Sequence, residues 1–155
     1  LRSSRHVGAA EDVDQTFLKI VVEETEYDQD GFLDRRPEYQ TPSGFVIVVN
    51  KNIPVERQRW TVAHEIGHFL LHDTEDSVEP KYRSPDALYF PAEMREEAEA
   101  NAFAADVLIP FKSLDLAIKR KLTIKHLHRV FWVSPEAMRN RLNSYNRCRN
   151  RCSKR

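Results

Sequence analysis

The 155-residue sequence predicts an α+β fold, and three observations predict it. Strand-forming segments fall in the first 50 residues and helix-forming segments after them, the segregated order of an α+β chain. The strands are short and divided by turn residues, which favours a small, mostly antiparallel sheet. The helices are of two kinds: two long ones that carry histidines and acids, then three short ones.

Each element has its own signal. Phe17 to Glu24 is apolar and β-branched and reads as a strand. Asp28-Gln29-Asp30-Gly31 is a turn, after which Phe32 to Arg36 is extended. Thr41-Pro42-Ser43-Gly44 is a second turn, and Phe45 to Asn50 is the clearest strand. Asn52-Ile53-Pro54 supplies a candidate N-cap and an early proline for the first long helix. Trp60, Ala63, Ile66, Gly67, Leu70 and Leu71 then recur at helical spacing. Gly67 costs about 1 kcal/mol in mid-helix relative to alanine, so a close neighbour is expected there. Residues 73–91 hold three prolines and mixed charge and read as a loop bordering a cleft. Residues 93–109 are alanine-rich, begin with acids and stop at Pro110, as a helix should. Residues 112–121, 123–131 and 135–145 are three short helices, the last with Ser134 as N-cap and Pro135 at its first position. The last pair has the outline of a helix-turn-helix. The organisation expected is a core over 1–110, a helical segment over 111–146 packed on it, and a basic tail over 147–155.

Composition narrows the class. No run of some 18 apolar residues is present, so no membrane span is expected. No charged-then-apolar leader pattern is visible. Cys148 and Cys152 are the only cysteines, too few for a disulfide framework and too few for a structural zinc site. They read as free thiols in a reducing, cytoplasmic setting. Net charge is zero but unevenly placed: residues 1–118 carry −11 and residues 119–155 carry +11. The basic end suggests contact with an acidic surface or nucleic acid, against the plainer reading of a solvated tail or pairing with the acidic half.

The chemistry lies in His64-Glu65-Ile66-Gly67-His68. On a helix the two histidines are four residues apart and share one face. Two imidazoles so placed can bind one metal ion, with Glu65 as general base on the attacking water. The competing reading is a buried helix with two hydrogen-bonded histidines. A catalytic zinc usually takes three protein ligands. His72 continues the series, but His64 and His72 are about 12 Å apart along a helix, too far for one ion. The longer pattern with a further glycine and histidine fails, because those places hold Leu71 and Thr74. On the 93–109 helix, Glu97 and Asn101 are i, i+4 partners on a face otherwise continued by Ala104, Ala105 and Leu108. A carboxylate on an apolar face needs a partner, and a zinc ion would be one. Asn101 can then accept a hydrogen bond from the far nitrogen of a liganding histidine. Glu96 and Glu99 fall off this face and are expected to be solvated, and Glu93 lies too near the helix start.

Trp60-Thr61-Val62-Ala63-His64-Glu65-Ile66-Gly67-His68-Phe69-Leu70-Leu71-His72, with Glu97-Ala98-Glu99-Ala100-Asn101-Ala102-Phe103-Ala104-Ala105 and Leu108-Ile109-Pro110, resembles the two signature helices of the ImmA/IrrE metallopeptidase family. Gly31-Phe32-Leu33 and Ile47-Val48-Val49-Asn50 resemble the strands before them, and Val133 to Leu142 the C-terminal helical segment, so the resemblance covers roughly residues 30 to 145. It implies a minimal zincin-like domain. It implies His64, His68 and Glu97 as zinc ligands and Glu65 as the base. A His₂Glu set suits zinc and also accepts manganese or another divalent ion. The resemblance further implies a narrow-specificity zinc endopeptidase whose protein substrate is a DNA-binding helix-turn-helix repressor, linking it to transcription regulation and stress response. A second oxyanion donor is expected, and Tyr89, Tyr82, His126 and His128 are the candidates, with Tyr89 singled out. His126 and His128 are two apart on an expected helix, face apart, and read as structural rather than catalytic. Zincin substrates often lie as an added strand on a sheet edge, and Phe45–Asn50 is the expected edge. The alternative function is a non-proteolytic, zinc-stabilised module that sequesters a repressor or antitoxin or contacts DNA. An intact Glu65 argues against it, since a purely structural site needs no base. A nucleic-acid-binding protein with an incidental motif is weakest, because no basic patch with interleaved aromatics stands outside the tail.

Overall fold

A computed structural model of the chain describes residues 18–25, 29–72 and 91–152. It is an α+β structure. Strands β1 (Lys19–Glu23), β2 (Gly31–Arg35) and β3 (Phe45–Asn50) are followed by helices α1 (Val55–Leu71), α2 (Pro91–Leu108), α3 (Phe111–Lys119), α4 (Ile124–Val130) and α5 (Pro135–Cys152), with a 3₁₀ turn at Pro37–Tyr39. Phe17, Asp28, Tyr82, Tyr89 and most of the expected 73–91 loop lie outside the described residues.

The sheet order is β1-β3-β2. β3 pairs parallel with β1, placing Ile47 beside Ile20, and antiparallel with β2, placing Ile47 beside Leu33. The sheet is therefore mixed, not mostly antiparallel. Phe45–Asn50 is also its central strand and not an edge. The reason is legible in its composition: all six residues are buried, and a continuous apolar run marks a strand covered on both faces and paired on both sides. The free edges belong to β1 and β2. Arg36, just past β2, ties those outer strands together. Its Nε donates to Asp34 and its two terminal nitrogens donate to the two Glu23 carboxylate oxygens, at 3.0 and 2.5 Å.

α1 packs on the sheet and α2 packs on α1. Gly31 lies where α1 comes down on the sheet. A Cβ there would run into the Val48 carbonyl oxygen and come within 2.6 Å of Thr61 Cγ2. Phe69 meets Phe45 edge to face at 5.8 Å. The buried residues of α1 are Thr61, Ala63, Glu65, Gly67 and His68, divided between the sheet side and the α2 side. Leu70 and Leu71, expected on the apolar stripe, are both more than half exposed. The cap differs too. Pro54 takes the N-cap position without a side-chain bond, and the Asn50 side chain accepts from the Asn52 amide at 2.9 Å instead.

The C-terminal helices enclose a second apolar cluster of Ile109, Leu114, Leu127, Val133, Met138 and Tyr145. Ser134 accepts from the Ala137 amide at 3.1 Å, the N-cap bond expected for α5. Arg141 anchors α5 to α2: it is buried, donates to the Ile109 carbonyl at 2.8 Å and to Asp106, and lies 3.7 Å over the Phe111 ring. Arg59 of α1 lies over Trp132 and donates to its carbonyl, joining α1 to the α4–α5 turn, where Trp132 has a φ of 51°. α5 runs to Cys152, six residues into the segment expected as a tail. Arginine is a good helix former and favours a helix C-terminus.

Candidate metal centre

The site forms where α1 and α2 press together. Gly67 has no side chain, and a Cβ there would meet Ala100 Cα at 3.1 Å and Phe103 Cβ at 3.2 Å. Ala100 and Ala104 are fully buried. Small residues on both helices bring the backbones close enough for short polar side chains to meet between them. That closeness accounts for a glycine in mid-helix.

His64 and His68 stand one turn apart on α1, and Glu97 faces them from α2. His64 Nε2 and His68 Nε2 are 3.0 Å apart. The Glu97 carboxylate oxygens lie 3.3 Å from the first and 3.4 Å from the second. Among the described residues these three form a group able to hold a metal ion. The donor set can be tested for size. A tetrahedral ion with bonds of about 2.0–2.1 Å keeps its ligand atoms about 3.3–3.4 Å apart. The two nitrogens lie near that edge length from one another, and each has a Glu97 oxygen near it, Oε2 beside His64 and Oε1 beside His68. With one ligand atom taken from each residue, all three lie within 4.8 Å of one another. The donors, two imidazole nitrogens and a carboxylate, are those of a catalytic rather than a structural zinc site, and three leave a fourth position open. The side chains of His64 and His68 are 12% and 7% exposed, so the site is sheltered by protein.

The other residues singled out in the sequence sort as follows. Asn101 Oδ1 lies 3.1 Å from His64 Nδ1. With Nε2 as the ligating atom, Nδ1 carries the proton and donates to that carbonyl oxygen. Glu65 is 3% exposed, and no buried polar side-chain atom among the described residues lacks a partner. Thus Glu65 is held in place. His126 and His128 sit on α4, outside the metal group, and His126 Nδ1 is 2.7 Å from the Thr123 hydroxyl. Tyr82 and Tyr89 lie outside the described residues.

Two residues make contacts that spacing did not predict. Glu99 keeps the solvent exposure expected of it, and is also bound from two sides: Arg95 Nε donates to it at 2.8 Å and His72 Nε2 lies 3.3 Å away. Arg95 first and His72 second hold its carboxyl below the usual carboxylate range. His72, too far along the helix to share a metal with His64, instead places its Nδ1 2.8 Å from His68 Nδ1. The available signal was the i, i+4 spacing of His68 to His72 and of Arg95 to Glu99. The link between those pairs depends on how two helices are phased, which spacing within one helix does not reveal.

The model of a peptidase family, Peptidase_M78, described as the IrrE N-terminal-like domain, matches residues 18–143. No curated protein matches the chain.

Proposed function

From the chain's membership of that M78 peptidase family, to which it belongs across residues 18–143, we propose that it is a zinc-dependent endopeptidase of narrow specificity, acting in the cytoplasm on a partner helix-turn-helix repressor. The observation that carries this reading is the cluster of His64, His68 and Glu97, whose ligating atoms lie within 4.8 Å of one another, with Glu65 buried between the two histidines in sequence.

His64, His68 and Glu97 would hold the ion, and Asn101 would fix the tautomer of His64. A bound zinc supplies Lewis acidity, lowering the pKa of water to about 7 and polarising a carbonyl. Glu65 takes the proton from the attacking water. It then delivers that proton to the nitrogen of the departing amine, so one carboxylate serves both halves of the hydrolysis. Burial of the site strengthens each of these interactions. Tyr89 is proposed as the second oxyanion donor. An extended substrate segment would add to the outer edge of β1 or β2, because both sides of β3 are already paired.

The repressor as substrate rests on the resemblance of the two signature helices to anti-repressor peptidases. The test is incubation of the protein with any helix-turn-helix repressor found to be encoded beside its gene. Cleavage is expected with zinc, and none with chelator or in Glu65→Gln, which should still bind one zinc per chain. Cleavage by Glu65→Gln at the wild-type rate would refute the mechanism. A second reading, a binding module without proteolysis, is favoured by one feature: Arg139, Arg147, Arg149 and Arg151 are exposed along α5. Retention of an intact repressor or of DNA, weakening steeply with salt and indifferent to Glu65→Gln, would support that reading instead.

A further inference from the structure

His64 and His68 are held from behind by different devices, and only the first was anticipated by spacing. Resting on the metal-centre reading above, we infer that His72 is the positioning residue of His68, and that Glu99 and Arg95 of α2 fix His72 in turn.

The geometry is a chain of four groups. His68 Nδ1 lies 2.8 Å from His72 Nδ1, His72 Nε2 lies 3.3 Å from Glu99 Oε2, and Arg95 Nε lies 2.8 Å from Glu99 Oε1. The His72 side chain is 8% exposed, so water does not substitute freely for these partners. His72 has already left the helix, with φ −120° and ψ 143°, while its amide still donates to the His68 carbonyl at 3.1 Å.

The donors and acceptors fit in one direction only. A neutral histidine that ligates through Nε2 carries its proton on Nδ1 and needs an acceptor there. His72 Nδ1 accepts only when the His72 proton sits on Nε2. That is the nitrogen facing the Glu99 carboxylate, which accepts and cannot donate when ionised. The opposite direction fails at both ends. A proton on His72 Nδ1 would turn a bare Nε2 toward an anion. It would also drive the His68 proton onto Nε2, where the ligating lone pair is needed. Arg95 completes the chain by orienting the Glu99 carboxylate through its 2.8 Å hydrogen bond. The chain therefore selects the ligating tautomer of His68, as the Asn101 carbonyl does for His64. It also joins the same two helices as the ligands, with His68 on α1 and His72 at its C-cap, and Glu99 and Arg95 on α2.

The test is zinc affinity, measured by competition with a chromogenic chelator on the full chain. His72→Phe keeps an aromatic ring and removes the acceptor. His72→Asn places a carbonyl oxygen near the position of the lost Nδ1. The expectation is one zinc per chain for the wild type, about 10- to 100-fold weaker binding for His72→Phe, and affinity near wild type for His72→Asn. The ligand-field spectrum of the cobalt-loaded protein should change in His72→Phe and be restored in His72→Asn. If the wild type binds no zinc, the metal-centre reading falls and this inference with it. If the wild type binds zinc and His72→Phe binds it equally well, only this inference falls. Equal weakening in both variants would also overturn it, because the loss would then not follow the acceptor.

Discussion

Gly67 shows how one residue sets the distance on which the site depends. Alanine there would gain about 1 kcal/mol in helix propensity. Its Cβ would, however, meet the Cα and carbonyl oxygen of Ala100 and the Cβ of Phe103 at 3.1–3.2 Å, and these atoms yield only if α2 moves. Overpacking of this kind costs about 1–3 kcal/mol. Gly67→Ala is therefore expected to lose roughly 1 kcal/mol of stability and to weaken zinc binding by drawing Glu97 away from the histidines. Thermal melting and zinc titration of the variant would check both, and an unchanged affinity would show that α2 yields without disturbing the site. At this scale much was legible. The pair His64 and His68 and the pair Glu97 and Asn101 are each i, i+4 relations within one helix, so their side chains are placed by sequence alone. His72 and Glu99 are 27 residues apart and meet only because of the way the helices pack, so spacing could exclude His72 as a ligand but could not find its partner.

Among the elements, the helices and strands follow their local signals while strand order does not. The apolar run from Phe45 to Asn50 announces a strand, and its lack of alternation already implies burial on both faces. Which strands flank it depends on the chain crossing from β1 to β2 and returning between them, and no local residue pattern encodes that. The outer strands are joined by the Arg36 contact to Glu23 and Asp34, and this contact has a pH signature. The Arg36 hydrogen bonds hold the Glu23 carboxyl below its ordinary value. A carboxylate with a depressed folded-state pKa contributes stability that is complete above its unfolded value and is lost as pH falls through the folded one. The pair is partly exposed, so its worth is about 0.5 kcal/mol. Glu23→Gln should be less stable than wild type by that amount near neutral pH, and the gap should begin to narrow at about pH 4, where unfolded glutamate protonates, and vanish only below the depressed folded-state value. Urea denaturation at the two extremes measures it, and a gap that stays constant with pH would detach the effect from Glu23 ionisation.

The whole molecule is a stack of sheet, α1 and α2, with the C-terminal helices anchored beside it through Arg141 and Asp106. That anchor also joins the two halves of the chain, which carry −11 and +11, so part of the charge asymmetry is answered internally. The helix-after-strand order made the α+β class legible. The close approach of α1 to α2 was not, because it rests on Gly67 and Ala100 meeting across 33 positions of sequence. The candidate metal ligands are divided between those same two helices, so an ion bound by His64, His68 and Glu97 would clamp the layers together and act on global stability. An ion that binds the native chain and not the unfolded one, free at 100 times its dissociation constant, adds about 2.7 kcal/mol. In a chain of this size each kcal/mol shifts the melting temperature by about 2–4 °C. Chelator should therefore lower the melting temperature by roughly 5–10 °C. Glu65→Gln should keep that shift, because Glu65 lies outside the group of candidate ligands and its proposed role is that of the base. His68→Ala and Glu97→Ala should melt low and be indifferent to chelator. Melting curves of the four proteins with and without chelator separate the clamp from the chemistry. A wild type whose curve is the same under both conditions would mean that these three side chains do not hold an ion at all, however well their spacing fits one.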